Sequence, residues 1–257
     1  MASGLKIDVR RSKILEMLHR DGQVRVSQLA QMLGATTVTI RSDLDALAIE
    51  GHLERVQGGA VQTVSGYYSL EFQRRKQLDR AAKKHIAALT ASLIRDGNTL
   101  FLNSGTTTYY VAVELKRYKN LNIVTNSLSI AQELGALPTF RVILLGGEVN
   151  AQYAFTYGTN AQEQLRTYRA DFAILGMDGV CSKNGLSTYH AEEAVMDRLM
   201  MERASETIIA AAGGKIGIEG FSFVADIGAA TRLVTDPSAD RQAIADLRRQ
   251  GVSVLYK

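Results

Sequence analysis

The chain has 257 residues, 46% hydrophobic and 22% charged, with 22 Gly and 2 Pro, a composition that shows no compositional sign of disorder and predicts a folded globular protein. A single cysteine, Cys181, excludes an internal disulfide framework and a cysteine-built zinc site, and points to the reducing cytoplasm. No apolar signal segment opens MASGLKIDVRRSK and no apolar run nears ~18 residues, so no membrane partner is expected, while a net charge of +4 permits a polyanionic one.

Residues 6–63 form a first pattern. Ile14, Leu15 and Leu18 mark one helical face, Leu29 and Leu33 a second, and Ile40, Leu44 and Leu47 a third. Ser27 is expected to cap the second helix, Gly34 to end it in a left-handed turn, and Thr36 to cap the third. That short separation is the spacing of a helix-turn-helix, whose second helix enters the DNA major groove. HLERVQGGAVQTV then alternates Leu53, Val56 and Val61 around Gly58-Gly59, a β-hairpin that completes a winged helix.

Bulk charge adds little here: residues 6–62 hold 8 Lys/Arg against 7 Asp/Glu. Placement carries the DNA reading. Thr36, Thr37, Thr39, Arg41 and Ser42 start the third helix, and Ser27 starts the second. Arg55 lies on the wing, with Gly58 and Gly59 letting its tip approach a phosphate backbone. A three-helix bundle for protein contacts is the competing reading.

Residues 64–76 read as a linker, followed by a helix from Lys76 to Ile94 with Ala82, Ile86, Leu89 and Leu93 inward. Arg74, Arg75, Lys76, Arg80, Lys83 and Lys84 cluster there, facing DNA phosphates or solvent. From residue 77 to 257 strand-like runs alternate with helices: NTLFLN, NIVTN, RVILLGG, FAILGMDG, ETIIAAAGG, RLVTD and VSVLY. Their lack of polar alternation predicts a mostly parallel α/β sheet covered on both faces.

In such a sheet the ligand lies beyond the carboxyl ends of the strands, and five of these ends are small and polar. They supply Asn103, Ser104, Gly105, Thr106 and Thr107; Asn126 and Ser127; Gly146, Gly147 and Glu148; Gly176 and Asp178; and Lys215, with Glu193 on a later helix. Amide groups opening a helix at Gly105 favour an anion. Neither a P-loop nor G-x-G-x-x-G is present, so a phosphate on a small polyol fits better than ATP or NAD. Glu148, Asp178, Glu193 and Lys215 also have the chemistry for proton transfer beside a carbonyl. His85 and His190 are isolated, so no catalytic set, metal or cofactor is expected.

The segment RRSKILEMLHRDGQVRVSQLAQMLGATTVTIRSDLDALAIEGHLERVQGGAV resembles the N-terminal domain of DeoR-type bacterial transcription regulators. LFLNSGTTT, IVTNSL, LLGGEV, ADFAILGMDGV and GGKIG follow in the order of that family's effector-domain motifs. The resemblance implies a regulator of sugar metabolism, most often a repressor, whose sensor domain is similar in fold to sugar-phosphate isomerases. It implies double-stranded operator DNA and a phosphorylated sugar as partners, and a homodimer or homotetramer. Four positions depart from the family pattern: Asn103 replaces the usual Asp, Asp197 a Lys, Ala212 an Asp and Ser42 a second Arg. The alternative is a sugar-phosphate isomerase carrying a DNA-targeting domain.

Overall fold

The computed structural model describes residues 6–62, 72, 74–150 and 152–257. The chain divides into two compact units, Met1–Arg74 and Arg75–Lys257; most of the expected linker over 64–76 lies outside the described residues.

In the first unit, α1 (Ile7–Asp21), α2 (Val26–Leu33) and α3 (Thr37–Ile49) surround a core of Ile14, Leu18, Leu29, Ile40, Leu44 and Leu47. The helical spacing read from the sequence is therefore the spacing that is buried. Gly34 ends α2 at φ 60, and the Thr36 hydroxyl accepts the Thr39 amide at 3.1 Å. The wing strands β2 (Leu53–Val56) and β3 (Gly59–Gln62) gain a partner that local patterning does not reveal, β1 (Gln23–Arg25), in the antiparallel order β1-β3-β2.

The structure corrects two of these expectations, the Ser27 cap and the hairpin alternation, and adds an internal constraint at Gly59. Ser27 does not cap α2: the cap is Arg25, leaving the strand, and the helix begins at Val26, two residues before a Ser27 cap would start it. Gly59 is small for an internal reason, since a Cβ there would lie 2.0 Å from the Val24 carbonyl oxygen. Along the hairpin, Leu53 and Ala60 are buried while Val56 is exposed, so alternation with Val61 does not describe the wing's inner face.

In the second unit, α4 (Arg80–Ala91) precedes seven strands that form one fully parallel sheet: β4 (Thr99–Leu102), β5 (Asn122–Thr125), β6 (Arg141–Leu144), β9 (Ala170–Leu175), β12 (Ala204–Ala210), β14 (Arg232–Val234) and β15 (Ser253–Leu255). Their order is β15-β14-β12-β9-β4-β5-β6. Successive strand residues feed opposite cores. Leu100, Leu102, Ile174 and Ile208 pack with α4, α5 (Thr106–Leu115) and α6 (Leu128–Gly135), whereas Phe101, Ala173, Leu175 and Ile209 pack toward α7 (Thr159–Arg166), α8 (Ala191–Arg203) and α9 (Arg241–Arg249). Both faces are apolar, which is why the strands lack polar alternation.

Two small sheets not expected from the sequence decorate this frame: the hairpin β7 (Glu148–Asn150) with β8 (Phe155–Tyr157), and β10 (Gly179–Cys181), β11 (Gly185–Thr188) and β13 (Ser222–Ala225). The helix expected from Lys76 is interrupted by a turn at Leu78 and Asp79, and α4 starts at Arg80. Among the described residues no helix is long and apolar enough to cross a membrane.

Candidate DNA-reading helix and sensor cavity

The outward face of α3 carries Thr37, Val38, Arg41, Ser42 and Asp45, all exposed. Arg41 has no ion pair among the described residues. Thr39 is half-buried, its hydroxyl engaged with that of Thr36 at 2.8 Å. Val38 is 71% exposed and was not singled out from the sequence, although an apolar residue out of step with Ile40, Leu44 and Leu47 was the available signal. Its side chain suits a thymine methyl.

Several basic residues are occupied within the unit. Asp43, 2% exposed, receives Arg10 at 2.5 Å and Arg11 at 3.3 Å, which fastens α3 to α1. Arg55 donates to Asp45 at 2.8 Å and to the Gly59 carbonyl, so the wing arginine holds the hairpin against α3. Gly58, at φ 79 with open space around it, makes the wing turn.

In the second unit a cavity of about 310 Å³ opens over the carboxyl ends of β4, β9 and β12, the three central neighbours of the sheet. Ser104, Gly105, Thr106 and Thr107 line it where α5 begins. The first-turn amides of that helix have no partner within the helix and carry its positive dipole end. Gly105 stands at φ 151, a backbone that favours glycine. Gly176 and Asp178 follow β9, Thr188 ends β11, Glu193 comes from α8, and Lys215 follows β12 on a short 3-10 turn, Gly213–Lys215.

Asn126, Ser127, Gly146, Gly147 and Glu148 do not line the cavity. They follow β5 and β6, which the strand order carries to the sheet's edge, away from β9 and β12. Each has local work instead: Asn126 donates to the Thr156 carbonyl, Ser127 caps α6, and Gly146 donates to Gln164. A Cβ on Gly147 would meet the Tyr157 carbonyl oxygen at 2.3 Å. Glu148 pairs in register with Tyr157 in the β7-β8 hairpin.

Asn103 is fully buried beneath the cavity. Its Oδ1 accepts the Gly176 amide at 2.9 Å, and its amide donates to the Gly176 carbonyl at 3.0 Å and to Asp197 at 2.9 Å. Two of the departures from the family pattern are thus one contact.

The acidic side of the cavity is a connected chain. Ser104 donates to Glu193 at 2.7 Å; the Thr188 hydroxyl lies 2.8 Å from Glu193 and 3.1 Å from Asp178; Lys215 donates to Asp178 at 3.2 Å. One hydroxyl has one proton. The single Thr188 proton therefore serves Glu193 or Asp178, not both at once. Burial raises the Glu193 carboxyl above the usual carboxylate range, and the Asp178 charge adds to that. Asp197 is raised well above it, by burial first and by Glu193 second, and its Oδ2 has no hydrogen-bond partner among the described residues.

Two cations of the basic run after Arg74 face the cavity. Arg75 lines it with its guanidinium 4.9 Å from the Tyr153 ring centroid, and Lys83 lines it while only 8% exposed. Helical spacing held the signal for Lys83, three residues before Ile86, on the buried side of α4.

Comparisons with known proteins accord with these two units. Residues 10–65 match the family described as the DeoR-like helix-turn-helix domain, and residues 78–237 match the DeoR C terminal sensor domain. The glycerol-3-phosphate regulon repressor of Escherichia coli (strain K12) is 30% identical, over 94% of this chain and 97% of its own. The HTH-type transcriptional repressor GlcR of Bacillus subtilis (strain 168) is 30% identical, over 94% of this chain and 93% of its own. The lactose phosphotransferase system repressor of Lactococcus lactis subsp. lactis is 35% identical, over 78% and 79%. Among solved structures, ribose 5 phosphate isomerase A from Neisseria gonorrhoeae is similar with a TM-score of 0.39 and 13% identity, over 55% of this chain and 53% of its own. With both of its units matched, the chain belongs to the DeoR family of transcriptional regulators.

Proposed function

We propose that the protein represses a carbohydrate-utilisation operon, and that a small phosphorylated sugar bound in the sensor cavity alters its affinity for operator DNA. One observation carries the effector half of this reading: within a single cavity, the amino end of α5 with Lys215 and Lys83 suits a phosphate, and the Thr188–Glu193–Asp178 chain suits sugar hydroxyls. The names of the relatives, a glycerol-3-phosphate regulon repressor and a lactose phosphotransferase system repressor, support the same class of regulation. The exposed α3 face around Arg41 supports major-groove reading, and a two-fold dimer would present two such helices to half-sites about 34 Å apart.

The cavity binds without converting its ligand on this reading. Glu193, the carboxyl candidate for proton abstraction, is held by Ser104 and Thr188, and Asp178 is held by Lys215. The test is a thermal-shift panel of triose, pentose and hexose phosphates, followed by fluorescence anisotropy on DNA from upstream of the protein's own gene. A ligand at ~100 times its dissociation constant adds about 2.7 kcal/mol of stability. A sugar phosphate that binds yet leaves operator affinity untouched refutes it as the effector, and turnover of any panel member overturns the non-enzymatic reading.

A further inference from the structure

The cavity wall formed by Arg75, Leu78, Asp79 and Lys83 is also the stretch by which the chain enters the sensor unit after Arg74. Residues 74–77 make one helical turn, and Asp79 follows in the left-handed region at φ 49. A non-glycine residue there is strained and persists only where its surroundings hold it.

What holds this segment is specific. Lys83 Nζ donates to the carbonyls of Arg75 and Leu78, each at 2.6 Å. The Tyr110 hydroxyl donates to the Lys76 carbonyl at 3.3 Å, and the Lys76 ammonium lies 4.1 Å from the Tyr109 ring centroid. Tyr109 and Tyr110 belong to α5, the helix whose first turn lines the cavity.

Among the described residues, Lys83 is therefore a buried ammonium whose two hydrogen-bond partners are both neutral, with a third donor left over. Burial pushes its pKa down most, the Asp79 charge opposes this, and the Arg75 and Lys215 charges add smaller downward pushes. Such a group gains more from an anionic oxygen than from a carbonyl, because an opposite charge adds Coulomb attraction that a neutral acceptor lacks, and burial strengthens it.

We propose that Lys83 couples the cavity to the DNA-binding unit: an anionic group bound beside Ser104–Thr107 draws the Lys83 ammonium to itself, loosens its hold on the Arg75 and Leu78 carbonyls, and shifts the conformational equilibrium of the stretch 74–79 by which the chain enters the sensor unit. This rests on the cavity being the sugar-phosphate site. The ligand acts only through unequal affinity for the held and released segment. By reciprocity, operator DNA that favours the held segment weakens ligand binding by the same factor.

Trypsin reads the segment directly, because Arg74, Arg75 and Lys76 are its sites. The full chain is digested with and without the sugar phosphate that most raises its melting temperature, and with millimolar inorganic phosphate, and cleavage at these three bonds is followed by mass spectrometry. Ligand is expected to speed cleavage there by about 5-fold or more, the lower end of typical coupling. Lys83→Met is expected to cleave at the fast rate regardless of ligand, and its operator affinity no longer responds.

Unchanged cleavage at saturating ligand, or a Lys83→Met protein that responds like the wild type, overturns the coupling. Should that variant fail to fold, the wild-type digestion decides alone. A ligand that raises the melting temperature and shifts operator affinity without altering cleavage removes Lys83 as the route but leaves the effector reading standing. If no ligand raises the melting temperature, both fall.

Discussion

Asn103 donates its side-chain amide to Asp197 across 2.9 Å, and both side chains are fully buried beneath the sensor cavity. Seen along the chain, they are two unrelated losses, an acid at one position and a cation at another. In space they are one exchange. Once position 197 is acidic, position 103 must supply a donor, and Asn can do this while still bonding both backbone groups of Gly176.

This pairing predicts strong non-additivity. Asn103→Asp removes the donor to Gly176 and Asp197 and should cost about 1–3 kcal/mol. Asp197→Lys places an ammonium against the Asn103 amide and should also destabilise. The double variant places an Asp against a Lys, which can pair directly, and should recover a coupling energy of about 0.5–3 kcal/mol. Urea unfolding of the four proteins measures it, and simple addition of the two single costs would sink the idea.

Asp197 also predicts a pH dependence. Its native pKa is raised well above the ordinary carboxylate value, so the folded state keeps a proton that the unfolded chain releases. The contribution is fully present below the ordinary carboxylate range and is lost as pH rises toward the native value. Glu193, raised in the same direction, adds to the slope. Asp197→Asn retains an acceptor for Asn103 and cannot ionise, so it should flatten the fall in stability with rising pH. Denaturant midpoints across pH 4–9 compare the two proteins.

In the DNA-binding unit, two arginines should separate recognition from stability. Arg41 is exposed on α3, and Arg41→Ala should weaken operator binding by about 1–3 kcal/mol if it reads a base edge, with an unchanged melting temperature. Arg55 ties Asp45 to the Gly59 carbonyl, so Arg55→Ala should lower the melting temperature as well. Anisotropy titrations and thermal unfolding of both variants distinguish the roles.

Gly59→Ala tests why the wing carries two glycines. The new methyl would lie 2.0 Å from the Val24 carbonyl oxygen, which forces β1 and β3 apart. A loss of about 1–3 kcal/mol is expected, as for other overpacked sites, without any DNA present. Stability equal to the wild type would return Gly59 to a role at the phosphate backbone.

Local patterns in the sequence were enough to determine the three helices and wing hairpin of the first unit, the seven strands of the second unit's parallel sheet, and the hydroxyl-rich turn at Ser104–Thr107. Helical spacing, a Thr36 cap, a Gly34 exit and short apolar runs are all set within a few residues, so they can be read without knowing the fold. The tertiary structure decided which of the five polar strand ends meet. With β12, β9 and β4 adjacent and β5 and β6 at the edge, three ends converge and two do not, and no local signal encodes that order. The same non-local geometry places β1 beside the wing, pairs Asn103 with Asp197 across 94 residues, and turns Lys83 from a member of a basic run into a buried cation. Strand order and burial arise when distant segments pack, which is why these features appear only in the folded chain.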